Sequence, residues 1–322
     1  MSIYCVEQID EVTLAAGSPL DGMDLMSPYV WCEGGRYRIM VRRVPRPFLA
    51  DSPTGVICCG DSHDGLVFDM DMKPAILPGP DPFDAGGCED PTVLVTDDGG
   101  YLVFYTGVDQ ARQQGSLLIA GGPDLIHLTK ERVMLKAPPG EGNIKEATLV
   151  QTPAGDWRLF YEYAAEDASR VGMASGPTAK GPWTLLPNPF GIRQDSWDNW
   201  HLSTGPIASV EGLDPVMFYN GATHDARWRI GWISFNSDFT EVTGRGLEPL
   251  LVPPPAEDRA ATDIAFAASC IVEGGAISLY YSLEDSILRR AKVQHYAGPT
   301  SDQKPGPQSG TERPNPKPVS EP

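Results

Sequence analysis

Apolar and polar positions alternate in short runs along most of the chain, and almost no stretch carries a helical period. Five segments share one shape: GGRYRIMVRR from 34, DGGYLVFYTG from 98, AGDWRLFYEY from 154, GLDPVMFYNG from 212 and GGAISLYYSL from 274. Each is a turn followed by an alternating or wholly apolar run, the pattern of a strand. Four end in an aromatic pair, Phe104-Tyr105, Phe160-Tyr161, Phe218-Tyr219 and Tyr280-Tyr281. With Val41 as the fifth equivalent, the landmarks lie 64, 56, 58 and 62 residues apart, the period of a large repeat unit. A strand candidate precedes each copy (PYVWCE, PTVLVT, EATLVQ, GPIASV, FAASCIV) and another follows it (GVICCG, GSLLIAG, RVGMASG, WRIGWISF, ILRRAKV). Three or four antiparallel strands per repeat describe a blade, so the expected fold is all-β, a five-bladed β-propeller over residues 1–296. A β-sandwich has similar strand spacing, but its repeating unit is the single strand. Residues 297–322 are Pro-rich and nearly free of apolar side chains, which predicts a disordered tail.

The formal net charge of -18 argues against nucleic acid, whose binding needs basic surface, and against docking on anionic lipid. A neutral partner such as an oligosaccharide fits this charge. The six cysteines form no CxxC pair and read as reduced thiols. The N-terminal segment has no apolar core of a signal peptide, and no run reaches the length of a membrane span. A cytoplasmic protein is therefore expected; self-association is left open. HExxH, Walker, GxGxxG and GxSxG patterns are absent, so neither a metal nor another cofactor is expected.

In a propeller the innermost strands surround a central channel. Their entry residues here are Asp24 with Ser27, Asp90, Lys145 with Glu146, His201 with Thr204, and Asp263. EDPTVLV in the second repeat aligns with KEATLVQ in the third, so Asp90 and Glu146 occupy matching places. Two carboxylates converging on a neutral polyol are the minimum for glycoside hydrolysis: one donates a proton, the other activates water. Glu146 is the candidate base, with Glu284 in reserve. Strict alternation along a strand would turn Lys145 away from Glu146; a slip of one residue would bring it in as an anion binder. Trp200, beside Trp197, Asp195, Asp198 and His201, offers a face for a sugar ring.

GGCEDPTV resembles the GCEDPR motif of glycoside hydrolase family 130, the β-mannoside phosphorylases and β-mannosidases. Arg42 in MVRR, KEATL, STGPI, FYNGA and YYSLED resemble further family segments. The resemblance implies a five-bladed propeller that attacks β-mannosides with inversion. It implies Asp90 as general acid, with Arg42 and Asp285 holding sugar hydroxyls. Asp24, Lys145, Trp200, His201 and Asp263 complete the expected substrate-binding set. The chain departs from the phosphorylases where they hold phosphate: Thr92 replaces an arginine, Asn220 a histidine and Trp228 a tyrosine. Fewer cationic donors weaken a site for a doubly charged anion. The expected reaction is therefore hydrolysis of β-linked manno-oligosaccharides. Phosphorolysis releasing mannose 1-phosphate is the alternative, followed by a five-bladed glycosidase of arabinose or fructose units and a non-catalytic sugar-binding propeller.

Overall fold

The computed structural model describes residues 2–137, 142–255, 257 and 262–297. Among them there is no α-helix; the described residues are all-β. The predicted tail lies outside the described residues, except that Ala297 is the last residue of a strand.

The strands follow one another as antiparallel meanders. The first set holds β2 (Asp24–Glu33), β3 (Arg36–Val44), β4 (Val56–Ser62) and β5 (Val67–Met70). The second holds β6 (Gly87–Val95), β7 (Tyr101–Val108), β8 (Gly115–Gly122) and β9 (Thr129–Leu135). The third holds β10 (Gly142–Gln151), β11 (Trp157–Ala165), β12 (Ala168–Gly176) and β13 (Thr184–Leu186). The last holds β21 (Ala265–Glu273), β22 (Ala276–Leu283) and β23 (Ile287–Ala297). Its outer edge is covered by β1 (Ser2–Leu14), which runs antiparallel to β23 from Ser2↔Ala297 to Val12↔Leu288. The end of β1 then pairs in parallel with β5, so the first and last sets form one 8-stranded sheet. Strands far apart in sequence thus cover each other's edges.

The fourth set departs from the expected strands. Each expected strand is broken in two: β14 (His201–Ser203) and β15 (Ile207–Ala208), β16 (Val216–Met217) and β17 (Asn220–Ala222), β18 (Trp228–Ile230) and β19 (Ile233–Phe235). With β20 (Val242–Arg245) they make a 3-stranded and a 4-stranded sheet. Gly205 and Gly231 stand at two of the breaks. A Cβ on Gly205 would collide with the Phe218 carbonyl, and one on Gly231 would lie 2.6 Å from the Trp197 ring. This close approach displaces the ladder locally.

The aromatic pairs explain the packing. Alternation sends the two rings of a pair to opposite faces of their sheet. Tyr105 packs with Met40 and Ile57 of the first set, while Phe104 packs with Leu159 and Tyr161 of the third. Phe160 meets Met217 and Tyr219 of the fourth; Phe218 meets Ala267 and Tyr281 of the last; Tyr280 meets Ile39, Val41 and Phe68 of the first. Each of these buried rings contributes about 1.5–3 kcal/mol over an exposed one.

Side-chain hydrogen bonds repeat the same succession around the inner strands. Ser269 Oγ donates to the Pro28 carbonyl and accepts from Val30 N, tying β21 to β2. Thr92 Oγ1 donates to the Ala147 carbonyl (2.6 Å), tying β6 to β10. Thr148 Oγ1 donates to the Gly205 carbonyl (2.9 Å), and the Asn220 amide bridges the Thr204 carbonyl to the backbone of Ala267.

Candidate active site

Three inner strands lose register at the same place. Pairing jumps between Met26 and Tyr29 in β2, between Glu89 and Thr92 in β6, and between Lys145 and Ala147 in β10. Ser27, Asp90 and Glu146 sit in these bulges with φ of 52°, 50° and 47°. A bulge re-aims the side chain it carries, at a cost of about 1–2 kcal/mol for a left-handed residue bearing a Cβ. Asp90, expected at the entry of its strand, therefore lies inside β6. Pro91 is accommodated there because a bulge demands no ladder donor.

The bulges open on a cavity of about 190 Å³ lined by Ser27, Asp90, Lys145 and Glu146, with Arg42, Glu162 and Asp285 around them and Met26, Trp228 and Phe266 as apolar wall. Asp90 Oδ1 accepts the Ser27 hydroxyl at 2.7 Å and lies 3.8 Å from the Arg42 guanidinium. Arg42 also donates to Glu89 Oε1 (2.9 Å) and to the Thr54 carbonyl. Lys145 Nζ stands 3.5 Å from Glu89 Oε2. Glu89, the other acid of the motif, is thus the buried counter-charge of two cations.

The bulge corrects the expectation from alternation. Lys145 and Glu146 line the same cavity, because Glu146 leaves the pleat and no longer fixes the side of its neighbour. Glu162 was missed by sequence reasoning. It follows the landmark Tyr161, pairs opposite Lys145, and so matches Arg42, which follows Val41 and pairs opposite Met26.

Burial, then Asp90 and Glu162, push the Glu146 carboxyl well above its usual range. Burial also raises Glu162, against the Ser169 hydroxyl that donates to it at 3.0 Å. Asp285 is raised by burial, although Thr262 Oγ1 donates to it at 3.1 Å. Burial opposes the charge on Lys145, but Glu89, Asp90 and Glu162 outweigh it and hold the amine above its usual value. The cavity therefore pairs two firm cations with several carboxyls that retain protons more readily than in water.

The remaining expected residues lie outside this wall. Asp24 pairs with Arg46, and both share a neighbouring cavity with Glu284. His201 stacks on Trp228 at 5.4 Å; its Nδ1 accepts from Ser169 N, and burial lowers its pKa below the usual imidazole value. Trp200 packs edge-on against His224, and Asp263 faces Arg227 at 3.5 Å. Trp197 and Asp198 belong to the interior: Trp197 stacks on Tyr219, and Asp198 is held by Arg193 and Arg245. Among the described residues no group of three His, Cys, Asp or Glu side chains could hold a metal ion, and no helix is long and apolar enough to cross a membrane.

No protein-family model matches the chain. A β-1,2-mannobiose phosphorylase from Listeria innocua is 26% identical over 242 residues, 70% of this chain and 63% of that protein, so the match spans under two thirds of the relative. The β-1,2-mannobiose complex of a Listeria innocua β-1,2-mannobiose phosphorylase superposes with a TM-score of 0.70 at 18% identity, covering 88% of this chain and 96% of that one. A further structure is described as coming from the family of mannoside phosphorylases that contains glycoside hydrolases targeting β-1,2-mannosidic linkages in Candida mannan. It reaches 0.71 at 19% identity, covering 89% of this chain and 94% of the other. The structural likenesses carry the fold, and the motifs and the sequence relative point to the same proteins: the chain is similar to the mannoside phosphorylases of glycoside hydrolase family 130.

Proposed function

We propose that this chain is a β-mannoside phosphorylase, with β-1,2-mannobiose as the first substrate to try, built as a single five-bladed propeller over the described residues. The succession of five apolar clusters, each shared by neighbouring strand sets and the last returning to the first, supports the blade count. The observation that carries the acceptor is Lys145. It lines the Asp90 cavity beside Arg42 and adds a second cation where a phosphate dianion would sit. The named Listeria relative supports the same acceptor.

In this reading a phosphate oxygen attacks the anomeric carbon from the face opposite the leaving sugar. The glycosidic C–O bond breaks, Asp90 gives its proton to the leaving oxygen directly or through a sugar hydroxyl, and α-mannose 1-phosphate forms. Glu146 and Glu162, whose carboxyls hold protons more readily than in water, would when protonated donate hydrogen bonds to phosphate or sugar. Hydrolysis is the second reading. It is favoured because Thr92 and Asn220, at two positions of the phosphorylase cations, are tied into the inter-sheet bonds. A carboxyl raised above its usual range also suits a general base, and Glu146 or Glu162 would take that part. A reducing compartment belongs to the proposal as well; all six cysteines are free.

The test is incubation with β-1,2-mannobiose, with and without phosphate. Mannose 1-phosphate formed only with phosphate is the expected result. Free mannose irrespective of phosphate would transfer the assignment to hydrolysis. No turnover of any β-linked mannobiose would sink both.

A further inference from the structure

The central cavity, at about 190 Å³, has the liquid volume of about six waters at roughly 30 Å³ each, room for one pyranose ring. It does not end there. Met26 and Asp285 also line a second cavity of about 490 Å³, between the start of β2 and the turn joining β22 to β23. Asp24, Arg46, Thr262, Glu284 and Ser286 form its remaining polar wall.

We infer that this second cavity is a subsite for an additional mannose unit, so that the preferred substrate is a neutral manno-oligosaccharide longer than a disaccharide. The inference rests on the proposed activity at Asp90 and adds chain length to it. A saccharide crossing from one cavity to the other must pass Asp285, whose Oδ2 is held by Thr262 Oγ1 at 3.1 Å. Asp285 therefore faces both compartments, as a residue bridging two consecutive sugar rings must. In the second cavity, Asp24 and Glu284 can accept from hydroxyls and Arg46 can donate to them. Arg46 is already turned onto Asp24 from the end of β3, and its side chain is 61% exposed. Its remaining guanidinium donors thus face solvent at the rim. The mixed signs suit an uncharged polyol. A polyanion would meet Asp24, Glu284 and Asp285, and an apolar ligand would strip water from all of them.

The experiment compares kcat/KM on β-1,2-mannotriose and β-1,2-mannobiose, and affinity for the two by calorimetry. The unmodified chain should favour the trisaccharide by about tenfold or more, the effect of one charge-assisted hydrogen bond. Arg46→Ala and Asp24→Asn should each bring that ratio toward one. A ratio of one in the unmodified chain, or a ratio that both variants keep, would overturn the subsite. Because affinity needs no turnover, a chain that is inactive on both sugars but binds the trisaccharide ten times tighter would keep the subsite and remove the proposed activity.

Discussion

Asp90 and Glu146 are the same residue of successive inner strands: each follows the last paired residue before a register break, and their φ angles, 50° and 47°, agree within a few degrees. Neither is a glycine, so each strained backbone carries a carboxyl that the bulge turns toward one cavity. Strain held at such positions points to use of the side chain.

Replacing Asp90 by Asn keeps shape and the Ser27 contact but removes the proton. Turnover of β-1,2-mannobiose should fall at least roughly a hundredfold, the low end for general acid–base catalysis, with an unchanged thermal transition. A folded Asp90→Asn chain turning over at nearly the original rate would take the acid role from this residue.

Glu146 should leave a signature in stability. Its folded pKa lies above the ordinary 4.5, so the native state holds a proton that the unfolded chain releases. Stability therefore falls as pH rises through that window, and the penalty is absent below about 4.5. Glu146→Gln removes the titration. Its melting temperature should exceed that of the original chain by at least about 2 °C at neutral pH, the shift expected from roughly 1 kcal/mol in a large domain, and the gain should vanish near pH 4. A gain independent of pH would assign it to packing instead.

Much of this arrangement was legible beforehand, and the rest has identifiable reasons. The aromatic pairs repeat because each strand set must fill two interfaces, so Phe104-Tyr105 and its equivalents located the sheets. The alignment of Asp90 with Glu146 followed from the same repeat. Lys145 was expected to point away because alternation assumes an unbroken pleat; a bulge built on Glu146, without a glycine, leaves no mark in the sequence. Glu162 was within reach, since Arg42 was singled out at the equivalent place after its own landmark. Asp24 and Glu284 line the neighbouring cavity and not that of Asp90, a placement that no periodicity encodes. The broken fourth set depends on where Gly205 and Gly231 meet Phe218 and Trp197, contacts that exist only after folding.

Arg42 and Glu89 form an ion pair with side chains 19% and 3% exposed. Arg42→Met leaves Glu89 buried with Lys145 alone, 3.5 Å away. Breaking such a pair costs about 3–5 kcal/mol, and denaturant titration should show a loss of that order. Adding Glu89→Gln should restore a good part of it, since the stranded charge is gone. A double variant as unstable as the single one would mean that Arg42 acts through the Thr54 carbonyl rather than through Glu89.

Lys145 and Glu162 pair across β10 and β11 and should divide the two acceptors between them. If phosphate is the acceptor, the Lys145 amine contacts it in ground and transition states alike. Lys145→Met should then raise the KM for phosphate by about tenfold, one charge-assisted hydrogen bond, with a smaller effect on kcat. Glu162→Gln keeps a hydrogen-bond donor, so phosphate KM should hold. If water is the acceptor, the order reverses. Lys145→Met should then lower the rate only modestly, while loss of the carboxylate that activates water should cost at least roughly a hundredfold in kcat at Glu162 or at Glu146. Azide separates those two acids: it should restore turnover of an activated mannoside, as the inverted α-mannosyl azide, only in the alanine variant of the true base. Equal phosphate KM values in the original chain and Lys145→Met, with collapse of activity in Glu162→Ala or Glu146→Ala and rescue by azide, would replace the proposed phosphorolysis by hydrolysis.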